Sequence, residues 1–517
     1  MDPRTWSRDY WKIAAATAAT ASVLLYAIKT SNNAKRRQKD NIPSPPGWLP
    51  FFGHILSINT EMPAYTFKQW HVDHGPVLRV NLGAQEWVMV SDTDILHELL
   101  VHNGAASSSR PFVNYSSGHY ALNKKGIVLS DANKKWKSLR SAALTILSPK
   151  MVNEYSNVHL SEADMLVDEL IKIGGEPQGI YPEKLLKKTS LNYVLDTCFG
   201  MRVPSTEDPY FKAINTFIDE GLVLGGPHND LGAIFPALSF VDKLLGRDNM
   251  FRTFIREKRD PLFNPMIKQA ASGDRDCLIK RLVDNKEEYG LDDDDILVAA
   301  SDLITGGTDT TAITLSWIIA ILVNHPDACK RIAREVDDFI SEHKRYPVFS
   351  ERSHFPFLNA VQKESMRYRS IGHFVFFHVL DKDIQTHGYL FPKGSWIYPS
   401  TYTIHTNSDI YPDADKFVPE RFLEDKKTMA AATNSKPGER DHYTFGFGRR
   451  VCPGIHLAEV EMFNVLVRIF ARCTLEPAKD AQGKPMLPDL DAPRDGGITV
   501  LPPLYQVRFI PRVDALI

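Results

Sequence analysis

Cysteine is scarce in this 517-residue sequence, and neither sign of charge is in excess. The five cysteines are far apart and make no disulfide framework, so we expect the body to face a reducing compartment. The 61 lysines and arginines nearly balance the 63 aspartates and glutamates, which argues against a dedicated nucleic-acid binder with its basic excess. A hydrophobic content of 43% and a charged content of 24% exclude disordered, collagenous and multi-span membrane proteins.

Only one stretch of the sequence suggests a membrane element. Residues 13–28 contain no charged side chain. As a helix they would be roughly 24 Å long, which is shorter than the hydrocarbon core of a bilayer, about 30 Å thick. Snorkelling of Lys12 and Lys29 would extend the span, and the basic cluster that follows it places the main body in the cytosol. We therefore predict that residues 1–40 form a single-pass anchor with a basic stop segment. A cleaved signal peptide or a loose helical tail is the alternative.

The rest of the chain has no internal repeat, low-complexity tract or second linker. Residues 41–53 are rich in proline, which supplies no amide donor, and are predicted to form a stiff hinge. A strand-rich patch at 77–90 turns at Gly83, helical periodicity runs from about 92 to 369, and short strands and turns follow. These patterns predict one large, mainly α domain with a minor β part at residues 54–517.

A glycine-rich loop late in the sequence carries one cysteine. Residues 445–454 read FGFGRRVCPG, and their glycines allow backbone conformations and close approaches that other residues forbid. Cys452 precedes Pro453, a favoured first helical residue, so unpaired N–H groups and the helix dipole are expected to lower its pKa. A single thiolate is the iron ligand of haem monooxygenases. A buried structural cysteine beside a glycine turn is the alternative.

This loop matches Phe-x-x-Gly-x-Arg-x-Cys-x-Gly at every specified position, and the sequence therefore resembles the cytochrome P450 family. Four further motifs occur in the family's order, and they are Trp136-x-x-x-Arg140, residues 306–311 (GGTDTT), Glu364-x-x-Arg367 and residues 417–422 (FVPERF). The resemblance implies a cytochrome P450 fold that holds haem b, with Cys452 as the axial iron ligand. It also implies insertion of one O₂ atom into an apolar substrate. As a whole the chain looks most like microsomal P450s of filamentous fungi.

The resemblance implies roles for further residues around the haem. Glu364, Arg367 and Arg421 would form a cluster beneath it, which we interpret as fixing geometry because buried ion pairs cost desolvation. Several further residues are predicted to bind the haem, some of them by offering a guanidinium or an N–H group to the propionates. They are Trp136, Arg140, Arg450, His378, Phe445 and Gly306.

A long apolar helix is predicted after the acidic residues 292–295. Gly306 and Gly307 each cost about 1 kcal/mol relative to alanine in a helix, which we interpret as a requirement for dioxygen and haem to approach the backbone. Thr310 lies four residues after Gly306, so its hydroxyl is predicted to bond that carbonyl. Asp309 and Thr310 would then relay protons to the oxygen being reduced. A core helix with incidental glycines is the alternative.

The sequence contains no flavin or nicotinamide motif, so electrons must come from a separate protein. With a cytosol-facing body, the resemblance implies membrane-bound NADPH–cytochrome P450 reductase at the endoplasmic reticulum, with cytochrome b5 as a second candidate donor. Basic side chains that would steer an acidic donor are Lys134, Lys135, Lys137, Arg440 and Arg449. An ordinary solvated face is the alternative.

The segments that line the substrate pocket in the family are mostly apolar or aromatic here. They contribute Phe112, Tyr115, Tyr120, Leu303, Ile371, Phe374, Phe376 and Ile498, with His119 and His373 as polar handles. Such a lining favours a neutral, rigid, steroid-like or xenobiotic substrate, with a fatty acid or secondary metabolite as runner-up. Simple core packing is the alternative explanation of these side chains. A P450-fold isomerase or dehydratase, or a non-catalytic haem sensor, would not need the Asp309–Thr310 pair.

Overall fold

A computed structural model describes residues 40–225, 229–235, 238–513 and 515–516. The predicted membrane segment at 13–28 lies outside these residues. Helices make up most of the described chain, and in order they are α1 (Pro63–His74), α2 (Thr93–His97), α3 (Lys134–Ile146), α4 (Pro149–Glu154), α5 (Ser156–Gly174), α6 (Glu183–Phe199), α7 (Pro209–Leu224), α8 (Leu231–Ile234), α9 (Ser239–Leu244), α10 (Arg247–Phe254), α11 (Asp260–Ser272), α12 (Leu278–Asp284), α13 (Asp293–Asn324), α14 (Pro326–His343), α15 (Pro356–Tyr368), α16 (Thr401–His405), α17 (Met429–Ala432) and α18 (Ile455–Arg472).

Short strands form a minor β part. In chain order they are β1 (Val77–Leu82), β2 (Gln85–Val90), β3 (His378–Val379), β4 (Ile384–Thr386), β5 (Tyr389–Phe391), β6 (Trp396–Pro399), β7 (Cys473–Lys479), β8 (Pro485–Met486), β9 (Arg494–Gly496), β10 (Thr499–Leu501) and β11 (Val507–Pro511). The largest sheet has the order β1-β2-β6-β3, and the smaller ones are β11-β7-β8, β9-β10 and β4-β5. The predicted class, mainly α with a minor β part, is confirmed.

The longest helix, α13, begins at a capping box and runs through the core. The Asp292 side chain accepts from the Asp295 amide, and the Asp295 side chain accepts from the Asp292 amide. α13 is long and apolar enough to cross a membrane, but 83% of its most apolar 18-residue window is buried inside the protein. α6 packs closely beside it at Gly307, where a side chain would collide with Val194. α13 is therefore the core helix on which the other elements are arranged.

The predicted strand-rich patch forms the antiparallel pair β1 and β2, with Gly83 at the turn at a φ of +58°. The proline-rich segment is fixed against this pair. The Arg79 amide donates to the Pro43 carbonyl at 2.8 Å, and Gly53 bridges to the end of β1. A buried ion pair between Arg79 and Asp40 fixes the start of the segment. The chain therefore enters the body in a defined direction, which a free hinge would not impose.

Candidate active site

The cysteine loop is closed by its own backbone and packed against an earlier segment. The Cys452 amide donates to the Phe445 carbonyl at 3.0 Å, and Gly446 and Gly448 have φ values of +81° and +53°. A side chain on Gly448 would collide with the Leu100 carbonyl, so glycine alone allows this approach. The loop therefore holds the Cys452 thiol in one place just before α18.

The helix after the loop begins two residues later than predicted. α18 starts at Ile455 with Gly454 as its N-cap, and Pro453 lies in the preceding turn. Burial raises the pKa of the Cys452 thiol, although the Gly454 amide and Arg140 act in the opposite direction. The backbone at the helix start thus lowers this pKa as expected, but desolvation is the larger effect, so the net shift of the thiol is upward. Coordination to a metal ion would reverse the balance, since a coordinating thiol loses its proton.

Three guanidinium groups, those of Arg110, Arg140 and Arg450, cluster beside the loop and donate to backbone carbonyls. Arg450 bonds the Ser108 carbonyl at 2.8 Å and the Ile127 carbonyl at 3.1 Å. Within the described part of the chain, none of the three makes an ion pair with a carboxylate. Burial and the neighbouring guanidiniums lower the pKa of Arg450 to about 8, and they lower that of Arg110 to about 9. The nearby carboxylate of Asp131 accepts from the Arg110 backbone amide at 3.0 Å and pairs with Lys124, so the three guanidiniums have no counter-charge of their own among the described residues.

Two of the predicted propionate ligands lie at the edge of this cluster. Trp136 Nε1 donates to the Ile127 carbonyl at 3.0 Å, and the Arg450 guanidinium lies 4.2 Å from the centroid of the Trp136 ring. His378 Nδ1 donates to the Ser107 carbonyl at 2.7 Å, whereas its buried Nε2 has no hydrogen-bond partner among the described residues. Burial holds the pKa of His378 well below its usual range. Nε2 would therefore donate only if an added anion favoured the protonated ring.

The residues present fit haem b. Its two propionates would supply the negative charge that the three guanidiniums lack. Such anions would also favour protonation of His378, whose Nε2 would then become a donor. Cys452 would supply the iron ligand, and the positive charge of Arg140 next to it would stabilise the thiolate.

Glu364, Arg367 and Arg421 meet in one buried ion-pair cluster. Arg367 donates from Nε and Nη2 to the two carboxylate oxygens of Glu364 at 2.8 and 2.7 Å, and Arg421 Nε lies 3.0 Å from Glu364 Oε2. Arg367 also donates to the carbonyls of His405 and Ala414 at 2.8 and 2.7 Å. The side chains of Glu364 and Arg367 are 0% exposed. The cluster therefore ties α15 to the chain between residues 405 and 421.

Gly306 and Gly307 have two different environments on α13, where sequence analysis proposes a single one. Nothing lies within 4 Å of a side chain built on Gly306, whereas Gly307 is needed for the contact with α6. Thr310 Oγ1 donates to the Gly306 carbonyl at 2.6 Å, as the spacing predicts. The exposed Gly306 and the side-chain bond of Thr310 together leave this part of the helix open to a small molecule.

Asp309 forms an ion pair that sequence analysis misses. Its Oδ1 lies 3.4 Å from Nζ of Lys187 on α6. Lys187 also lies 3.7 Å from Glu183 and 3.9 Å from Asp219, whose side chains are 33% and 66% exposed. Burial raises the pKa of Asp309, and Lys187 lowers it in part. A chain of ionisable groups thus runs from solvent to Asp309. No sequence signal identifies Lys187, because a Glu–Lys pair four residues apart is common on surface helices.

The predicted pocket residues belong to several packing clusters. Tyr115, Tyr120 and Leu303 lie in or against the cluster between α13 and α10–α12. Ile371 packs with Ile313 and Trp317 of α13, and Phe374 stacks on Tyr398 of the large sheet with 4.7 Å between ring centroids. Three further side chains are exposed, and they are Phe112, Phe376 and Ile498. The structure therefore places Leu303 and Ile371 in separate clusters that both include residues of α13, and it places Phe374 on the sheet.

The predicted donor-steering surface is smaller than expected. Arg440 is only 8% exposed and donates to the Gly446 carbonyl at 3.0 Å, so it stabilises the cysteine loop from inside. Lys135 pairs with Asp295 at 2.6 Å. Lys134, Lys137 and Arg449 remain. Lys134 is exposed, and Lys137 and Arg449 line a groove of about 400 Å³ together with Trp136, Arg140, Ser141, Leu144 and Thr145.

Comparison with known proteins agrees with this site. The family model described as Cytochrome P450 matches residues 43–509. The chain is 28% identical to cytochrome P450 monooxygenase yanC of Aspergillus niger, over 96% of this chain and 94% of that protein. It is 27% identical to cytochrome P450 monooxygenase macC of Penicillium terrestre, over 96% and 95% of the two chains. A solved structure of a zebra fish cytochrome P450 with progesterone has a TM-score of 0.73 at 24% identity, and the match covers 87% of this chain and 100% of that one. With its cysteine loop, buried Glu–Arg–Arg cluster and uncompensated guanidiniums, the chain belongs to the cytochrome P450 family and is a haem-thiolate monooxygenase.

Proposed function

We propose that this monooxygenase hydroxylates a rigid, neutral, steroid-sized lipophilic substrate at an unactivated carbon. The observation that carries the proposal is the apolar cluster beside α13, where Tyr115, Tyr120 and Leu303 lie among aromatic and aliphatic side chains. Arg259 bonds the Tyr120 carbonyl at 2.6 Å, and it is itself paired with Asp260 at 2.8 Å. A fatty-acid carboxylate would therefore compete with an existing ion pair here, whereas a neutral ring system would only displace water.

A neutral substrate still needs one or two polar contacts that fix its orientation. The buried Tyr115 hydroxyl has no hydrogen-bond partner among the described residues, so it is available to a hydroxyl or carbonyl of the substrate. His119 lies 3.4 Å from Asp248, and His373 packs on Tyr402 with 4.6 Å between ring centroids. Of these three side chains, Tyr115 is therefore the best hydrogen-bond partner for a polar group of the substrate.

Bound haem supplies the activation of O₂ and the hydroxylation itself, while the protein holds the cofactor, excludes water and moves protons. In our proposal Cys452 holds the iron, and Arg110, Arg140 and Arg450 hold the propionates. The hydroxyl of Thr310 donates a proton toward the open side of α13 at Gly306. Asp309 restores that proton, since burial raises its pKa toward the range in which a carboxyl both binds and releases protons.

Protons reach Asp309 from the solvent through Lys187 in this proposal. The carboxylate of Asp219 is exposed and that of Glu183 is partly exposed, and Lys187 lies within 4 Å of both of them and of Asp309. Asp309 therefore exchanges its contact with Lys187 for one with Thr310 as each proton moves inward. The ion pair keeps the carboxylate ionised between these events because an adjacent cation favours the charged form.

Replacing Thr310 with alanine should uncouple the enzyme. The variant loses the hydroxyl that delivers protons but keeps its haem, so NADPH should still be consumed while product falls roughly 10²-fold and peroxide or water replaces it. Product, peroxide and NADPH are measured in one reconstituted reaction. Thr314→Ala is the matched control, because Thr314 makes the same kind of bond one turn later, to the Thr310 carbonyl at 2.8 Å. An unchanged ratio of product to NADPH in Thr310→Ala would remove Thr310 from the relay.

The substrate class is tested by titrating the ferric full-length enzyme with neutral four-ring steroids and with long-chain fatty acids. We expect steroids to convert the haem from low to high spin and to be hydroxylated in an NADPH-dependent reaction. Tyr115→Phe should weaken steroid binding about fivefold, since one hydrogen bond to a neutral partner contributes about 1 kcal/mol. Tight spin-state changes and turnover with fatty acids alone would refute the steroid-like class and leave the monooxygenase assignment intact.

We further propose NADPH–cytochrome P450 reductase as the electron donor, with cytochrome b5 as a second partner. The groove with Lys137 and Arg449 at its rim lies on α3, the helix that also carries Trp136 and Arg140. The charge on its rim would attract an acidic protein surface and make association weaker at high salt.

We also propose attachment to the endoplasmic reticulum membrane through residues 1–40, with the body facing the cytosol. An apolar surface lies beside the point where the chain enters the body. Phe51 and Phe52 are 38% and 42% exposed, and Phe51 stacks on Phe235 with 4.8 Å between ring centroids. Leu244 and Leu245, 82% and 60% exposed, add to the apolar surface of the body. Exposed apolar patches of this kind are typical of membrane contacts.

Deletion of residues 1–31 should weaken membrane binding without abolishing it, since the phenylalanine surface remains. Adding Phe51→Ser and Phe52→Ser should then release the protein, whereas Phe51→Leu with Phe52→Leu should not, because leucine keeps the surface apolar. Flotation with phospholipid vesicles measures the bound fraction, and bound haem shows that each variant is folded. An equal bound fraction for the full-length and truncated chains would contradict the anchor.

A further inference from the structure

We propose that Asp302 is a positioning residue that holds the haem-binding donors through one peptide unit of the segment 126–130. Asp302 lies on α13 two turns before Thr310 and is 6% exposed. Its carboxylate bonds the backbone of this segment, and the segment's carbonyls bond Trp136, Arg110 and Arg450. The core helix would thereby fix the groups that hold the propionates, without contacting the cofactor itself.

The first contact is between Asp302 and two consecutive amides. Its Oδ2 accepts from the Ile127 amide at 2.7 Å and from the Val128 amide at 3.0 Å. Bonds from two N–H groups to one ionised oxygen are stronger than neutral hydrogen bonds. Gly126 makes this approach possible, because it has a φ of +79° and a side chain there would lie 2.6 Å from Asp302 Oδ2.

The second contact is on the other end of the same peptide unit. The Ile127 carbonyl accepts from Trp136 Nε1 at 3.0 Å and from Arg450 Nη1 at 3.1 Å. The peptide between Ile127 and Val128 therefore donates to Asp302 at its N–H end and accepts from two haem-binding side chains at its carbonyl end. Such a chain of hydrogen bonds is cooperative, since each bond polarises the next.

The arrangement also spreads beyond this one peptide. Arg110 donates from Nε to the Val128 carbonyl at 3.1 Å, and Arg450 donates to the Ser130 carbonyl. Two of the three guanidiniums in the cluster are thus oriented by a segment whose position depends on Asp302. The carboxylate of Asp302 lies on the other side of this segment from the Arg110 and Arg450 guanidiniums. Neither guanidinium pairs with a carboxylate among the described residues, so the charge of Asp302 would attract both across the segment.

Two substitutions break the contact from opposite sides. Asp302→Leu keeps the branched shape of the side chain but removes both bonds to the segment together with the bond from the Tyr120 side chain, and Gly126→Ala forces the segment away from the helix. Asp302→Asn keeps one acceptor oxygen, loses the charge and replaces the other oxygen with an NH₂ donor, so it provides a milder variant if Asp302→Leu fails to fold. Ser301→Ala is the neighbouring control, because the Ser301 hydroxyl donates to the Val298 carbonyl at 2.9 Å and contacts the Tyr120 side chain, but has no hydrogen bond to the described segment 126–130.

Three measurements on the full-length holoenzyme test the proposal. Hydrogen exchange should accelerate at the Ile127 and Val128 amides in Asp302→Asn and Gly126→Ala. Haem transfer to a scavenging apoprotein should become about ten- to a hundredfold faster, which is the effect of losing a charged hydrogen bond. The propionate bending bands in the resonance Raman spectrum should shift, a signal that a general loss of stability does not move. The effects of Asp302→Asn and Gly126→Ala should not add fully, because both variants weaken the same contact.

Faster exchange at the two amides with unchanged haem transfer and unchanged propionate bands would overturn the proposal, since Asp302 would then stabilise the segment alone. Unchanged exchange in Asp302→Asn and Gly126→Ala would overturn it as well. A change in Ser301→Ala equal to that in Asp302→Asn would refute a specific role for the carboxylate. None of these readouts depends on the substrate, so they are independent of the substrate class proposed above.

Discussion

Replacing Cys452 with alanine should eliminate the red-shifted Soret band of the reduced CO complex, together with all monooxygenase activity. This band reports thiolate ligation of the haem iron, and Cys452 is the cysteine held in the glycine-rich loop. In the protein alone, burial raises the pKa of the thiol, so the thiolate exists because the metal binds it. Cys452→Ala should therefore lose the thiolate signature and most of its haem affinity while keeping its helical content.

Matched controls come from the other cysteines of the chain. Cys473 is 1% exposed at the end of α18, and Cys329 lies on α14. Cys473→Ala and Cys329→Ala should keep the thiolate band at full intensity, and their haem content should equal that of the unmodified chain. Cys452→Ser offers an oxygen ligand at nearly the same volume and should shift the band to the position of a non-thiolate complex. A thiolate band that persists in Cys452→Ala would show that another residue holds the iron.

Local motifs account for most of what sequence analysis predicts correctly. The cysteine loop, the start of α13 at its acidic residues and the bond from Thr310 to Gly306 each depend on residues within ten positions of one another. The residues that sequence analysis misses depend on contacts between distant segments. Ile127 and Asp302 are 175 residues apart, and no local pattern links them. Arg110 and Lys187 are missed for the same reason.

Burial explains the remaining differences between expectation and structure. The pKa of Cys452 and the position of Arg440 both depend on how much water the fold removes, which a sequence pattern does not report. Both Gly306 and Gly307 are unfavourable in a helix, so the sequence does not distinguish them, and only the contact of Gly307 with Val194 separates their environments. Sequence patterns therefore predict the side chains that carry the chemistry better than they predict the surrounding residues that position those side chains.

Replacing Glu364 with glutamine should destabilise the protein by about 3–5 kcal/mol, because it leaves buried guanidiniums without their counter-charge. Glu364 is 0% exposed and contacts both Arg367 and Arg421. Urea unfolding of the holoenzyme, followed by circular dichroism and by haem absorbance, measures the free energy of unfolding. Haem should be lost at lower urea than in the unmodified chain, since the same cluster bonds the carbonyls of His405 and Ala414.

Glu420→Gln is the surface control, because Glu420 pairs with Arg331 at 2.8 Å while the two side chains are 53% and 39% exposed. Its cost should stay below about 1 kcal/mol, since exposed ion pairs contribute little. Combining Glu364→Gln with Arg421→Met should recover part of the loss, because removing a cation along with its counter-charge relieves the uncompensated buried charge. If Glu364→Gln cost no more than Glu420→Gln, the cluster would be an incidental pair and would not fix the segment between residues 405 and 421. Additive losses in the double variant would likewise contradict a shared buried charge.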